Sequence, residues 1–471
     1  MIKSKKVLAL LSIGLFAFMS TLDGSIVNIA LPTISRELGV GMQEVTWTVT
    51  VYLVVISGLL LLFGRLGDLM GKTTIFRYGT LIFTVGSLLA GFNFGLSFLI
   101  VARIVQAIGA AMTMSNSFGI TSMISTPSTR ARSMSIIAMF VSLGLISGPA
   151  VGGVLLQFLP WSYIFWLNVP IGIIAAAVGH SVLPRETQST HIKEVDIIGA
   201  SQLFLLIVVL FLSLNSLQSL GYASTLTWLG LFITVMLFIW FIMTERRVKH
   251  PLLALAIFKN KLFNISVISS LLVFTSSACN NILMPFYLQN YRHFTAGFSG
   301  LLLMSIPAAM FIFAPISGVL SDKLNKEVIT IVGLTGLVIS QFGYIFFHSE
   351  STFIWLIGTF ILNGAAAGLF QSPNNALVME NVTHQYFGIA GSLNALARNM
   401  GFVLGTVLAT TLLFISMSTQ LNRHVTDYVP QHPEVFLNGM HFAFYVSLGL
   451  ILVAWCLVAY RLWRNSGHIT K

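Results

Sequence analysis

The sequence predicts an all-α polytopic membrane protein of fourteen helices, and three observations carry that prediction. First, 56% of its 471 residues are hydrophobic and 8% are charged, against about 25% charged in a soluble domain. Second, apolar runs long enough to cross a bilayer recur at 7–31, 45–63, 74–93, 97–122, 134–158, 163–183, 197–216, 225–244, 263–288, 298–320, 328–347, 353–378, 387–416 and 440–461. Third, Lys and Arg collect in every second connector. With the amino terminus inside, the inner segments hold 20 of the 25 Lys and Arg residues, the outer connectors hold Arg36, Arg292 and Arg423, and Arg103 and Arg398 lie within spans. That alternation follows the positive-inside rule, and a miscount by one span would scramble it. An even number of spans puts both termini on one side, here the cytoplasmic side.

Composition also excludes classes. A formal net charge of +11 would suit nucleic acid if the basic residues clustered on one solvated face, but they are scattered through short connectors. Cys279 and Cys456 lie within spans and have neither the number nor the spacing of a disulfide framework or metal site, so neither a metal nor a cofactor is expected. Lys3, Lys5 and Lys6 before an apolar run look like the start of a secretory signal. The run is too long, lacks a small-x-small cleavage site and carries Asp23, so it reads as a first span. An enzyme is not expected either, because there is no nucleophile and base constellation and no phosphate-binding glycine loop before a helix.

The first span holds Asp23, in TLDGSIVNIALP. A carboxylate at that depth costs about 2.5–3.5 kcal/mol by insertion scales, so it should face a cavity or a partner, or be protonated. A helix-terminal Asp reaching the interface is the structural alternative. After the second span, GRLGDLMGKTTIF combines Gly64, Gly67 and Gly71, which allow a tight turn, with opposite charges at Asp68 and Lys72. A solvated turn would have the same composition. A related stretch, SGVLSDKLNKEV, lies 254 residues on, with Gly318, Leu320, Asp322 and Lys326 aligned to Gly64, Leu66, Asp68 and Lys72. The copies follow spans two and ten, an offset of a six-helix half plus two inserted helices. The chain then divides into an N-terminal six-helix bundle (1–190), an inserted pair (191–250) and a C-terminal six-helix bundle (251–471).

In the fourth span Arg103, Gln106 and Ala110 share one face. Asp23 is the carboxylate placed well inside a span, and Arg103 is the cation of this half that needs a partner, so the two are expected to communicate, directly or through water. In the fifth span Gly144, Gly148 and Gly152 line one stripe, Gly153 widens it, and Pro149 removes a backbone donor. Small residues at this spacing drive close helix contact in lipid, and both a packed structural helix and a hinge fit the pattern. Trp161, Tyr163 and Trp166 suit an outer interfacial belt.

The second half is rich in amides. Asn280, Asn281 and Gln289 lie on span nine, Asn363, Gln371, Asn374 and Asn375 on span twelve, and Asn394 and Asn399 beside Arg398 on span thirteen. Such amides bind helices together in lipid; around Pro373 they also suit a broken helix lining a polar cavity. The candidate substrate-cavity residues are Asn28, Gln106, Asn280, Gln289, Gln371, Asn374, Asn394 and Arg398. The outer connector at 417–439, with His424, Asp427, His432 and Glu434, reads equally as a small cap or a disordered loop.

Together these motifs resemble the major facilitator superfamily, and within it the fourteen-span drug:proton antiporters. The run from Gly144 to Gly153 is similar to the antiporter motif G-x-x-x-G-P-x-x-G-G of its exporters. Leu22, Asp23, Ser25, Ile26, Val27, Asn28, Ala30, Leu31 and Pro32 resemble the first-span signature L-D-x-[ST]-[IV]-V-N-x-A-L-P. Gly64 to Lys72 resembles the loop motif G-x-L-x-D-x-x-G-[KR], and Arg103, Gln106, Gly109 and Ala110 resemble R-x-x-Q-G-x-G-A, with Ala107 replacing a Gly. Asn168 to Gly172 matches the family's N-V-P-I-G, with Ser162 where Arg is usual, and Asp196 resembles the Asp that opens the inserted pair.

The resemblance implies a major facilitator fold and proton-coupled efflux of lipophilic cationic or neutral drugs by alternating access. Asp23 would be the proton-coupling residue and Arg103 its tuner. The loop of Gly64, Asp68, Gly71 and Lys72, with Asp322 in the second copy, would latch the two halves on the cytoplasmic side. Leu69 and Thr73 stand where basic residues are usual, which implies a weaker latch. The expected setting is a monomer in a bacterial cell membrane, exchanging a small-molecule substrate for protons, in contact with the lipid bilayer and not with nucleic acid. An exporter of one endogenous lipid, amino acid or siderophore, or a non-transporting membrane sensor, fits the same scaffold.

Overall fold

The computed structural model describes residues 3–40, 42–184, 196–220, 224–248, 251–253, 255–423, 425, 429 and 431–466. Among them fourteen helices are long and apolar enough to cross a membrane. Inside hydrocarbon a chain must satisfy its own backbone N–H and C=O groups, and a helix does so within each apolar run. In chain order they are α1 (Lys3–Leu38), α2 (Met42–Met70), α3 (Lys72–Ala90), α4 (Leu96–Met123), α5 (Arg130–Phe158), α6 (Asn168–Val182), α7 (Ile197–Leu220), α8 (Thr225–Glu245), α9 (Lys261–Phe286), α10 (Ser305–Lys323), α11 (Lys326–Ile345), α12 (Phe353–Glu380), α13 (Phe387–Leu421) and α14 (Pro433–Ser466).

Each expected span is present, and the departures have local causes. The stretch from Gly64 to Phe76 is not an open loop: α2 runs on to Met70, and α3 starts after Gly71 alone. Gly71 makes that break with φ 97°, an angle a side chain disfavours. Span six is interrupted at Leu167, between a single turn at Tyr163–Trp166 and α6, because Pro170 has no N–H to give the Trp166 carbonyl. Pro285 ends α9 in a π turn, where the N–H of Arg292 reaches the Tyr287 carbonyl at 2.9 Å. Span ten likewise divides into Ala296–Leu303 and α10, since Pro307 cannot donate to Leu303. Pro373 and Pro149 behave differently. Helices α12 and α5 run unbroken through them, which corrects the expectation of a broken helix around Pro373.

Contacts divide the chain into two compact units. Unit 1 is Met1–Val208, Thr234–Asn260 and Val378–Leu396; unit 2 is Val209–Ile233, Lys261–Leu377 and Ala397–Lys471. Helices α7, α8, α12 and α13 each contribute to both. Residues 190 and 191 at the first expected boundary, and residue 250 at the second, lie outside the described residues. Helix α8 turns Trp228, Phe232, Val235, Phe238 and Trp240 outward, as a lipid-facing helix does.

In unit 1, α1 packs on α5 and α6, while α4 packs on α2 and α3. Glycine sets these distances. A Cβ on Gly144 would meet the Thr21 hydroxyl and the Phe18 carbonyl, one on Gly148 would meet the Ser25 hydroxyl, and one on Gly152 would meet Ile26. Across this seam the hydroxyls of Thr21 and Ser25 donate to the carbonyls of Val141 and Gly144, both at 3.3 Å. Gly153 departs from expectation: it lies about 100° round the helix from Gly152 and faces open space, so it does not widen the seam. The side chain of Pro149 lies outside the described set.

In unit 2, α14 packs on α9 and α11. A second glycine pair, Gly401 and Gly405 on α13, rests against the Leu271 and Thr275 carbonyls of α9. The outer connector is shorter than expected, since α13 reaches Leu421 and α14 starts at Pro433. His424 and Asp427 lie outside the described residues. Val425 and Val429 are buried in the unit's apolar cluster, and His432 lies 3.2 Å from Glu434.

Gly148→Val is expected to overpack the α1–α5 seam at a cost of about 1–3 kcal/mol and to lower the thermal unfolding midpoint in detergent by several degrees. Gly153→Ala should leave that midpoint where it is.

Candidate functional site

Asp23, Arg103, Gln106 and Asn168 are all buried and meet in one network inside unit 1. The Arg103 Nη1 donates to Asp23 Oδ2 at 2.6 Å, while Gln106 Nε2 and Asn168 Nδ2 donate to Oδ1 at 2.9 and 2.8 Å. Arg103 also donates from Nε to the Thr48 carbonyl at 3.1 Å and from Nη1 to Gln106 Oε1, and its guanidinium lies 4.0 Å above the Tyr52 ring. Gln106 extends the network by donating to the Ser87 hydroxyl at 2.8 Å. Five helices, α1, α2, α3, α4 and α6, thus meet in one network, with α4 and α6 donating to the α1 carboxylate. Close packing makes this possible: a Cβ on Gly86 would strike the Gln106 backbone, so the bare glycine lets α3 bring Ser87 to the amide.

The arrangement fits the ionised carboxylate, which only accepts, against three N–H donors. A proton on Asp23 would remove the ion pair and set an O–H against those donors. The other amide atom of Asn168, Oδ1, is buried and has no hydrogen-bond partner among the described residues.

Asp68 forms a second buried site. Its carboxylate pairs with Lys72 at 2.7 Å and accepts the N–H groups of Gly388 and Ile389 at 2.8 and 3.1 Å. Those donors open α13, where first-turn N–H groups have no partner within the helix and carry partial positive charge. Gly64 and Gly388 allow the approach, because a Cβ on Gly388 would meet the Gly64 carbonyl and the Asp68 carboxylate. The second copy is built differently. Asp322 is half-buried at the end of α10, and α11 is capped by Asn325, whose side chain accepts from Glu327 N at 2.8 Å. Asp196 likewise caps α7, accepting from Gly199 N at 2.8 Å.

The candidate cavity residues are dispersed. Asn280 accepts from Gln341 at 3.3 Å, and Gln341 also donates to Ser276, which bonds Ser447 at 2.7 Å. Asn374 donates to the Ser266 carbonyl and the Ser270 hydroxyl at 3.0 and 2.9 Å. Both amides tie helices of unit 2 together. Gln371 and Asn394 are buried, Arg398 is half-buried, and Asn28 and Gln289 are exposed. Asn28 takes no part in the Asp23 network. Sequence reading gave Asn168 no role beyond a motif match, and its signal was an amide placed at a helix start by Pro170. Thr48, Tyr52 and Ser87 had no signal, because packing alone brings them to the site.

Fourteen apolar spans, with a buried ion pair inside unit 1, are the architecture of a multi-pass membrane protein. The chain belongs to the Major Facilitator Superfamily, whose model matches residues 13–406 and 267–468. It is 32% identical over 453 residues to the riboflavin transporter RibZ of Clostridioides difficile (strain 630), covering 95% of this chain and 97% of that one. It is 28% identical over 436 residues to the multidrug resistance protein Stp of Mycobacterium tuberculosis (strain ATCC 25618 / H37Rv), covering 91% and 80%. Among solved structures, the proton:xylose symporter XylE matches with a TM-score of 0.66 at 11% identity, over 98% of this chain and 96% of that one. That likeness is one of fold. The family consists of transporters of small molecules, not of enzymes.

Arg103→Ala leaves Asp23 buried without its cation, and the expected loss is about 3–5 kcal/mol, read as a lower unfolding midpoint. The double variant Asp23→Asn with Arg103→Gln should lose less than Arg103→Ala alone. Asp68→Asn keeps one acceptor for α13 but loses the Lys72 pair. In a Cys456→Ser background, Ile389→Cys should react with a thiol reagent several-fold faster when Asp68→Asn is present, and faster still with Asp68→Ala.

Proposed function

We propose that this protein exports a lipophilic small molecule in exchange for protons, with Asp23 as the proton carrier and Arg103 as the group that responds to it. The observation that carries this reading is the three-donor cradle around a fully buried carboxylate. Antiport requires proton and substrate to favour opposite states of one element. The ionised Asp23 ties α1 to α4 and α6; the protonated form gives up the ion pair and frees Arg103 to find another acceptor. External proton binding thereby loosens the closure on which α1 depends, and substrate entering from the cytoplasm favours its return. The proton gradient supplies the driving force without a cofactor, and a net charge that crosses adds about 2.3 kcal/mol per 100 mV. The protein acts as a monomer in the bilayer of a bacterial cell.

Similarity to Stp supports a multidrug range. Similarity to RibZ over 95% of the chain favours a second reading, in which the cargo is one specific aromatic metabolite of the flavin type.

In proteoliposomes with an imposed pH gradient, wild type is expected to release protons when a transported compound is added, and Asp23→Asn is expected to lose that signal while still binding the compound. A mutant that still couples would make Asp23 structural. A response to riboflavin alone, against a panel of lipophilic drugs, would select the second reading.

A further inference from the structure

Two arginines lie deep in spans, and they are treated differently. Arg103 is paired with Asp23 and also donates to Gln106 and the Thr48 carbonyl. Arg398 lies eleven residues into α13 (398 − 387), about 16 Å along the helix at 1.5 Å per residue, near the middle of a bilayer core about 30 Å thick. Among the described residues it has no hydrogen-bond or ion-pair partner, and no carboxylate lies close to it. An intramembrane guanidinium is costly and normally faces protein, water or a ligand. Arg398 is not on the lipid side. It precedes Gly401 by three residues and Gly405 by seven, which places it on the stripe of α13 that rests on the Leu271 and Thr275 carbonyls of α9.

One turn further along the same face is Phe402. Its ring pairs with Phe274 of α9 at a centroid distance of 5.4 Å and an angle of 48°, and both rings are partly exposed. Next to Arg398, the buried amide Nδ2 of Asn399 is a second donor without a partner among the described residues. Within unit 2, then, a bare cation, a spare N–H donor and two ring faces occupy neighbouring turns of one seam. The guanidinium carries only donors, in a planar fork that matches carboxylate or carbonyl oxygens, and the rings offer stacking to a flat partner. A cationic ligand would meet an uncompensated positive charge in a low-dielectric setting, where repulsion is strong.

We infer that Arg398, Asn399, Phe274 and Phe402 form a recognition point for a planar aromatic substrate with an anionic or carbonyl-rich edge, and that organic cations are disfavoured there. This rests on the export reading and narrows its substrate class.

The test is equilibrium binding to the purified full-length protein, followed by fluorescence anisotropy with two dyes on one xanthene frame, fluorescein as the anion and rhodamine 123 as the cation. Binding needs no proton gradient, so a failure of coupling through Asp23 leaves this result standing. Wild type is expected to prefer fluorescein. Arg398→Gln should weaken fluorescein about 10-fold or more, the scale of a lost charged hydrogen bond, and leave rhodamine 123 unchanged or tighter. Arg398→Lys, which keeps the charge, should retain more fluorescein affinity than Arg398→Gln, and Phe402→Ala should weaken fluorescein with Arg398 intact. Unfolding midpoints show that each variant is folded, and Arg398→Lys carries the test if Arg398→Gln is not. Preference for rhodamine 123, no binding of either dye, or full fluorescein affinity in a folded Arg398→Gln protein would overturn the inference.

Discussion

A charged pair placed inside hydrocarbon must hold itself together, and the Asp23–Arg103 contact sets the terms for unit 1. Neither ion has water to fall back on, so every lone pair and N–H must find a partner in the protein. Gln106 and Asn168 donate to the carboxylate, while the guanidinium also reaches the Thr48 carbonyl and lies over the Tyr52 ring. Five helices are fixed by these contacts.

Such convergence depends on backbones coming close, and lipid gives helices no hydrophobic reason to do so. Glycine seams supply the closeness: Gly144 and Gly148 against α1, Gly79, Gly86 and Gly109 between α3 and α4, and Gly401 and Gly405 against α9. The four-residue device recurs on α5 in unit 1 and on α13 in unit 2, helices eight spans apart like the two copies of the loop motif, and again at Gly364 and Gly368 of α12, which lie against the α10 segment. At these seams hydroxyls bond the neighbouring helix: Thr21 and Ser25 reach α5, and the Cys279 thiol reaches the Gly405 carbonyl at 3.4 Å.

The units differ in how they satisfy their polar interiors. Unit 1 relies on ion pairs held by amides, at Asp23 and at Asp68. Unit 2 is bound mainly by neutral amide and hydroxyl contacts, such as Asn374 with Ser270 and Gln341 with Ser276, and by the Glu327–Arg461 pair at 3.2 Å. In that setting an uncompensated Arg398 is the exception, and an exception of this kind in a membrane helix marks a place where something else binds.

Sequence alone determined the span count, the alternation of charge, the internal repeat and the cost of Asp23, because hydropathy, connector charge and depth are properties of a residue and its near neighbours. It also placed Arg103 and Gln106 on one face, since helical spacing is fixed. Tertiary structure decided the rest. Whether Asp23 touched Arg103, which amide completed it, and that Asp68 would meet the first turn of α13 depend on contacts across 80, 145 and 320 residues, which no local pattern encodes. Proline showed the same limit, breaking the chain before α6 and α10 yet passing unbroken through α5 and α12. Its missing donor is fixed by chemistry, but whether neighbours make good the loss is a matter of packing.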